Sequence, residues 1–199
     1  MPVMNGIEMC HEIKNNIELC HIPLVLLTAL DTVEHNMDGL QQGADDYISK
    51  PFHARILLMK CNNLIKNRLL VKNQLGKQPD FDIQLLATSS LDQKLMHRIS
   101  AVVDKYIDYT EFEVNTLEQE LHMGRSSLFT KFKGLTGMTP NEFIQNQRIK
   151  RAAVILKDYP DLQITEVSER LGFTSAIYFS RCFKSKFGIS PQQFRKKNS

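Results

Sequence analysis

The second half of the chain contains an internal repeat, and this repeat limits the fold more than any other feature of the sequence. Residues 117–143, LEQELHMGRSSLFTKFKGLTGMTPNEF, align with residues 167–194, VSERLGFTSAIYFSRCFKSKFGISPQQF. The offset is 50 residues at first and 51 after one inserted residue. The matched pairs include Leu121/Leu171, Leu128/Phe179, Phe132/Phe183, Gly137/Gly188, Pro140/Pro191 and Phe143/Phe194. We therefore expect one structural unit to occur twice.

Within each unit, apolar residues recur at helical spacing. The pattern predicts a helix of about two turns, a tight turn, a second helix, a glycine stop and the start of a third helix. The second helices have apolar stripes made of Leu128, Phe132 and Leu135 in one unit and Phe179, Phe183 and Phe187 in the other. Their opposite faces are polar and basic, with Ser126, Thr130 and Lys133 in the first unit and Arg181, Lys184 and Ser185 in the second.

The predicted helix boundaries have chemical reasons. Gly137 and Gly188 stand where a helix ends in a left-handed residue, which glycine adopts without strain. Thr139-Pro140-Asn141-Glu142 and Ser190-Pro191-Gln192-Gln193 are capping boxes with proline at the first helical position. Two helices around a tight turn, the second with a short polar face, form a helix-turn-helix, whose second helix fits the DNA major groove.

The charge distribution is consistent with a polyanion as partner. The chain has a net charge of +3, but residues 1–111 contain 11 basic and 14 acidic residues, while residues 112–199 contain 14 and 8. A basic C-terminal half favours nucleic acid as its ligand. The alternative is a helical bundle with a duplicated hairpin and no ligand.

Residues 91–199 resemble the DNA-binding domain of the AraC/XylS family of bacterial transcription regulators, most closely at SERLGFTSAIYFSRCFKSKFGISPQQFR. The resemblance implies a mainly α, homeodomain-like fold with two helix-turn-helix units, at 113–137 and 164–188. A helix of about Pro140 to Lys157 would join them. Its eighteen residues span roughly 27 Å, comparable with the ~34 Å between successive major-groove faces.

The resemblance also implies DNA-contacting residues by position. In the first unit these are Arg125, Ser126, Phe129, Thr130 and Lys133, and in the second Ser175, Ile177, Tyr178, Arg181 and Lys184. The two lysines are expected on phosphates and the others on base edges. Core packing is the alternative for Phe129 and Tyr178, and simple solvation for the lysines. The chain departs from the family at His122, where glycine is usual and where we expect a strained left-handed backbone.

The first third of the chain has a different pattern. A loop ending in Asn5-Gly6 leads into an amphipathic helix, and the apolar run IPLVLLTAL and the segment DDYISKPF are typical of parallel strands. A polar helix is expected from Thr32 to Gln42, closed by Gly43, and another from Arg55 to Asn67. Residues 68–90 contain Gly76 and Pro79 and are interpreted as a linker.

Residues 1–67 resemble the C-terminal half of a flavodoxin-like α/β receiver domain of response regulators, through MPVMNG, LVLLTA and GADDYISKPF. By position, Thr28 corresponds to the hydroxyl residue at the acyl phosphate, Lys50 to its lysine and Tyr47 to the aromatic switch. The phosphoacceptor would precede Met1, so none is expected in this chain. Asp45 and Asp46 are expected at the start of the last strand and not at a phosphorylation site.

Together these features predict a sequence-specific, DNA-binding transcription regulator of a hybrid two-component system, with a truncated receiver. We expect no enzyme activity, cofactor, metal site or membrane segment, and a cytoplasmic location in keeping with four widely spaced cysteines. Expected partners are double-stranded DNA, a second copy of the chain, and receiver or histidine kinase domains of an intact parent. The alternatives are a protein-interaction fragment that pairs through its half-receiver and a phosphotransfer component.

Overall fold

A computed structural model describes residues 4–29, 43–77 and 82–198. Within these residues it contains nine α-helices, one 3₁₀ turn and two strands. The chain divides into two compact units, one formed by Met1–Gln74 and Asp82–Met96 and the other by Leu75–Phe81 and His97–Ser199. The mainly helical fold with a small parallel sheet agrees with the fold class expected from the sequence.

The first unit begins with helix α1, Gly6–Asn15, which Asn5 caps. The Asn5 side chain accepts hydrogen bonds from the Ile7 and Glu8 backbone N–H groups, and the Glu8 carboxylate accepts one from the Asn5 N–H. Strands β1, Val25–Thr28, and β2, Asp46–Ser49, then pair in parallel, with Thr28 opposite Ser49. The helix expected at residues 32–42 lies outside the described residues.

The start of strand β2 is held by the carboxylate of Asp45. It accepts hydrogen bonds from the ammonium of Lys14 at 2.6 Å, the guanidinium of Arg68 at 2.7 Å and the backbone N–H of Leu24 at 2.9 Å. Asp46 is the first residue of the strand and pairs with Lys60 at 2.7 Å. Both aspartates are therefore structural, as their expected position at the start of the last strand implies.

Helix α2, Ala54–Lys77, is longer than the sequence pattern suggested. We expected it to end at Asn67 and residues 68–90 to form a linker without regular structure. The additional turns contain good helix formers, and Leu75 near their end is fully buried, so packing outweighs the glycine at position 76. A 3₁₀ turn, Ile83–Leu86, follows, and helix α3, Ser90–Tyr106, begins within the same stretch.

The second unit is built around helix α6, Pro140–Asp158. Helices α4, Val114–Leu121, and α5, Arg125–Thr136, precede it, and helices α7, Ile164–Arg170, α8, Ala176–Phe187, and α9, Pro191–Asn198, follow it. Both expected capping boxes are present, since the side chains of Thr139 and Ser190 accept from the N–H groups of Glu142 and Gln193. Gly137 and Gly188 end helices α5 and α8 with φ values of 77° and 76°.

The apolar stripes predicted for helices α5 and α8 face the interior. Leu128, Phe132, Phe179 and Phe183 are at most 1% exposed. The core of the second half of the unit joins helix α6 to helices α7 and α8 through a continuous apolar cluster, which includes Ile149, Ala152, Leu156, Val167, Leu171, Phe173, Phe179 and Phe183. Burial of one face leaves the polar face of each second helix directed to solvent.

Candidate nucleic-acid interface

Helix α5, which we call the first reader, exposes the polar face that the sequence predicted. Arg125, Ser126, Thr130 and Lys133 are exposed, and Phe129 is half-buried. Phe129 is therefore neither fully packed in the core, which was the alternative to a DNA contact, nor fully exposed. Positions 125, 126, 129, 130 and 133 lie along one side of a helix because they follow the i, i+1, i+4, i+5, i+8 spacing of one helical face.

The guanidinium of Arg125 is partly engaged within the first unit. It lies 3.8 Å from the carboxylate of Glu118 in helix α4 and 5.6 Å from the ring centre of Phe129. These contacts orient Arg125 across the start of the reader, since a guanidinium stacks on aromatic rings and pairs with carboxylates. If Arg125 binds a DNA base, it must first give up its ion pair with Glu118.

Helix α8, the second reader, exposes a face that is both apolar and basic. Ile177 is 76% exposed and Tyr178 is 40% exposed, while Arg181 and Lys184 are exposed as well. An isoleucine so far in solvent is unusual for a core-forming residue. Arg181 is in no salt bridge within the described residues, and its exposed guanidinium can present N–H donors to a ligand.

Two of the predicted residues in the second reader also have structural contacts. Ser175 caps helix α8, with its hydroxyl oxygen accepting from the N–H groups of Ile177 and Tyr178. The Tyr178 hydroxyl donates to the side-chain oxygen of Gln145 in helix α6 at 2.9 Å. A hydrogen bond with Cys182 raises the pKa of Tyr178. These bonds fix the start of the reader on the central helix.

An open groove of about 870 Å³ lies between the two readers, with the first half of helix α6 as its floor. It brings together Lys133 from the first reader and Arg181 from the second, which the sequence placed on DNA separately. Gln145, Asn146 and Ser185 add neutral polar groups to its walls, and Glu142 adds one carboxylate. We call this feature the central groove.

Lys186 lines the central groove, although it is not among the DNA-contacting residues expected from the sequence. Its ammonium donates to the Leu75 carbonyl oxygen at 3.2 Å, within the second unit. Burial, with a smaller effect of nearby Lys150, lowers the pKa of Lys186 to about 8. No pattern marked this residue, because the contact joins positions 111 residues apart.

The turns that join the paired helices differ between the units. His122 closes the first turn with φ 52° and ψ 44°, in the left-handed region, as expected. Gly172 occupies the second turn with φ 68°. His122 is exposed, whereas a Cβ atom at Gly172 would lie 2.7 Å from a guanidinium nitrogen of Arg148. Arg148 was missed by the sequence analysis, although it interrupts the apolar stripe of Ile144, Ala152 and Leu156 at intervals of four.

The residues assigned to the receiver lie near the ends of the two strands. Thr28 is the last residue of β1, and its carbonyl oxygen accepts from the Lys50 N–H at 2.7 Å, so these two predicted residues are neighbours. Lys50 is exposed. Tyr47 lies in β2, and the Lys60 ammonium sits 5.8 Å from its ring centre. Among the described residues, no cluster of His, Cys, Asp and Glu has the make-up of a metal site.

Known protein families match both parts of the chain. Residues 117–197 match a family model described as a helix-turn-helix domain, and residues 1–62 match the response regulator receiver domain. This chain joins a receiver-domain segment to an AraC-type helix-turn-helix domain. The match to the AraC-type domain covers both readers and the helix between them, and it establishes this part as a DNA-binding domain.

Two relatives show how these parts occur elsewhere. Histidine kinase P4 of Formosa agariphila is 38% identical over 199 residues, which are 100% of this chain and 14% of the relative. The HTH-type transcriptional regulator MtrA of Neisseria gonorrhoeae is 30% identical over 147 residues, 74% of this chain and 48% of the relative. The chain thus spans about one seventh of the first relative and about half of the second.

Among solved structures, the C-terminal domain of AraT, a response regulator from Geobacillus stearothermophilus, is 26% identical to the AraC-type domain. The match covers 51% of this chain and 83% of that one, with a TM-score of 0.46. In the described part of the present chain, no helix is both long enough and apolar enough to cross a lipid bilayer.

Proposed function

We propose that the chain regulates transcription by binding a specific double-stranded DNA sequence with both readers of its AraC-type domain. The observation that carries this proposal is the central groove, where Lys133 and Arg181 line one surface from two different readers. Reader faces that lead into a common basic surface fit two successive major-groove segments of one duplex.

The exposed faces support distinct roles for their residues. Arg181, free of a carboxylate partner among the described residues, is suited to a bidentate contact with guanine. Exposed Lys133 and Lys184 are suited to phosphates, which position a protein without specifying sequence. Exposed Ile177 and Tyr178 and half-buried Phe129 offer apolar surface to thymine methyl groups. Ser126, Thr130 and Ser175 offer hydroxyl groups that can bind bases or phosphates.

The receiver-domain segment supports a wider proposal about control. A full-length match to part of a histidine kinase favours a parent in which sensing, phosphotransfer and DNA binding share one polypeptide. In such a parent, phosphorylation would favour pairing of receivers and thereby of DNA half-sites. The chain itself would act by binding and not by catalysis, in the cytoplasm, where DNA and the transcription machinery are.

Selection of bound sites from a random duplex library tests the proposal. We expect the wild-type chain to enrich a bipartite motif, because two readers contact two segments. A variant with Arg125→Ala and Arg181→Ala serves as the comparison, since both arginines are exposed and their removal leaves the core intact. It should still bind DNA weakly at low salt but enrich no motif.

Either of two results would contradict the proposal. One is that the wild-type chain enriches no motif at any salt concentration. The other is that it captures a receiver protein while showing no measurable affinity for DNA at low salt, which would favour the protein-interaction alternative. A stable acid-labile adduct after incubation with acetyl phosphate and magnesium would instead favour a phosphotransfer component.

A further inference from the structure

One side chain, Arg148 near the middle of helix α6, contacts both the segment that leads into the first helix-turn-helix unit and the turn of the second unit. It is 8% exposed. Its Nη2 donates to the carbonyl oxygens of Tyr109, Thr110 and Phe112 at 3.3, 3.3 and 2.9 Å, and its Nη1 donates to the carbonyl oxygen of Gly172 at 3.4 Å. All four acceptors are backbone groups, so the contacts depend on where the chain runs and not on side-chain identity.

The four carbonyl groups belong to two separate parts of the domain. Residues 109–112 form the segment that leads into helix α4 and therefore into the first unit. Gly172 lies in the turn between helices α7 and α8, in the second unit. The guanidinium thus ties the entrance of one unit and the turn of the other to the helix that joins them.

The fit around Gly172 is close on two sides. A Cβ atom at this position would lie 2.7 Å from Nη2 and 2.9 Å from Cζ of Arg148, and 3.1 Å from the Cα atom of Thr110. Heavy-atom contacts of this length are repulsive. The turn of the second unit therefore lies close to the segment that leads into the first unit, with the guanidinium of Arg148 beside this contact.

Burial of the Arg148 guanidinium carries a desolvation cost that an apolar side chain at this position would not have. Burial lowers the pKa of Arg148, and its Nε has no hydrogen-bond partner within the described residues. A well-packed apolar side chain at a buried site is usually as stabilising as a buried charge, or more so. Unlike an apolar side chain, a guanidinium has N–H donors in a rigid plane, and these donors hold their acceptors in a defined geometry.

We propose that Arg148 is a positioning residue that fixes the distance and angle between the two readers and so sets the spacing between the two DNA half-sites. Because the guanidinium binds carbonyl groups of the segment that leads into the first unit and of the turn in the second unit, it limits rotation of one unit about helix α6 relative to the other. This role rests on the proposed function for its consequence in DNA binding, but its geometric part can be tested without DNA.

Two variants of Arg148 separate the contribution of its N–H donors from that of its charge. Arg148→Met keeps a long side chain and removes all donors, and Arg148→Lys keeps the charge without the rigid plane of N–H donors. Arg151→Met is the matched control, because Arg151 lies one turn along the same helix and only its exposed contact with Asp108, at 3.5 Å, is lost. Circular dichroism and thermal unfolding of each full-length variant confirm that it folds.

Spin labels on the two units measure the geometry directly. Cysteines replace exposed Asn115 in helix α4 and exposed Glu169 next to the second turn, in a background with Cys61→Ala and Cys182→Ala. Cys10 and Cys20 are fully buried and remain. We expect a narrow distance distribution for the wild-type and Arg151→Met chains and a clearly broader one for Arg148→Met, with Arg148→Lys between them.

DNA spacing provides the second readout. On selected sites whose half-sites are moved apart or together by one base pair, the wild-type chain should lose about tenfold or more in affinity, or 1.4 kcal/mol. Arg148→Met should retain less than half of that preference for the original spacing, while keeping its contacts with each half-site. A residue that only stabilises the fold would lower affinity for every spacing equally.

Substitutions at two glycines distinguish the effect of steric crowding from the effect of backbone strain. Gly172→Ala and Gly188→Ala both place a side chain at positive φ, but a Cβ at Gly188 meets nothing within 4 Å. We expect Gly172→Ala to broaden the label distances and Gly188→Ala to leave them unchanged. Addition of Arg148→Met should remove most of the extra effect of Gly172→Ala.

The proposal is overturned if folded Arg148→Met keeps the narrow wild-type distribution. Equal loss of affinity at every spacing would overturn it as well. If the wild-type chain binds no specific DNA, the proposed function fails, and the label distances still decide whether Arg148 fixes the two units.

Discussion

The two helix-turn-helix units share a sequence pattern but close their turns in different surroundings. In the first unit, His122 takes the left-handed conformation in solvent. In the second, Gly172 also has a positive φ, of 68°, and lies against the guanidinium of Arg148. The comparison shows that one turn tolerates a side chain because it is exposed, whereas a methyl group in the other would press on the Arg148 guanidinium and the backbone of Thr110.

The cores of the units differ in a related way. Phe183 in the second unit has ring contacts with Phe179, Phe187 and Phe194, at centroid distances of 5.8, 4.6 and 5.3 Å. Among the described residues, its counterpart Phe132 has one ring contact, with Phe143 at 5.3 Å. The second unit is therefore the more aromatic of two cores built on the same helical frame.

We expect the largest loss of stability when the aromatic core of the second unit is disrupted. Phe183→Ala should lower the free energy of unfolding by about 3–5 kcal/mol, since the side chain is fully buried. Phe132→Ala, also buried, should cost about 1 kcal/mol less, because fewer aromatic pairs are lost. Urea unfolding of the full-length variants, followed by circular dichroism, measures both losses. A greater loss at Phe132 would contradict the comparison.

The next effect contrasts the two reader arginines. Arg181→Ala should remove about 1–3 kcal/mol of discrimination at one base position. Arg125→Ala should remove less, because Arg125 gives up its contact with Glu118 when it binds DNA. Competition binding with single-base variants of the selected site gives both values. Uniform weakening on all sequences after Arg181→Ala would assign this residue to phosphates.

Lys184→Ala is the reference for a phosphate contact in the same helix. Its removal should lower the slope of log affinity against log salt by roughly one unit while leaving base preference unchanged. An unchanged slope would remove Lys184 from the interface.

A smaller effect concerns the open turn. His122→Gly should raise the free energy of unfolding by at most about 1 kcal/mol, because relief of left-handed strain exceeds the added entropy of the unfolded chain. The thermal midpoint of the full chain measures this effect. Destabilisation would show that the His122 side chain makes a contact that outweighs its backbone strain.

The smallest effect is a pH dependence at the central groove. Lys186 has a pKa lowered from 10.5 to about 8, so in the folded chain it loses most of its charge between about pH 7 and 9. If DNA phosphates approach the groove, affinity at constant salt should fall over this range. Lys186→Arg should remain charged and lose this dependence.

Stability should change in the opposite direction as the pH rises. The unfolded chain holds the Lys186 proton more tightly than the folded chain does, so this residue's contribution to stability rises as pH increases from about 8 to 10.5. A fall in both affinity and stability would point to general unfolding and not to Lys186.

Much of the AraC-type domain follows from local sequence. Helical spacing predicted that Leu128 and Phe179 are buried and that Arg181 is exposed, since these depend on neighbours three or four residues away. The same applies to the capping boxes at Thr139 and Ser190. The roles of individual reader residues remain predictions.

Contacts between distant segments could not be predicted in this way. The acceptors of Arg148 lie 24 to 39 residues away, and the bond between Tyr178 and Gln145 spans 33 residues. The end of helix α2 was missed because burial of Leu75 depends on packing that the local pattern does not contain. An arginine within an apolar stripe is a signal that would have indicated a buried, carbonyl-bound guanidinium at position 148.

Hydroxyl-radical footprinting of the wild-type chain on its selected site tests the central claim, that two readers contact one duplex together. We expect two protected patches about 10 base pairs apart on one face of the DNA. Arg181→Ala should weaken one patch more than the other. A single patch, or protection around the whole duplex, would contradict the account.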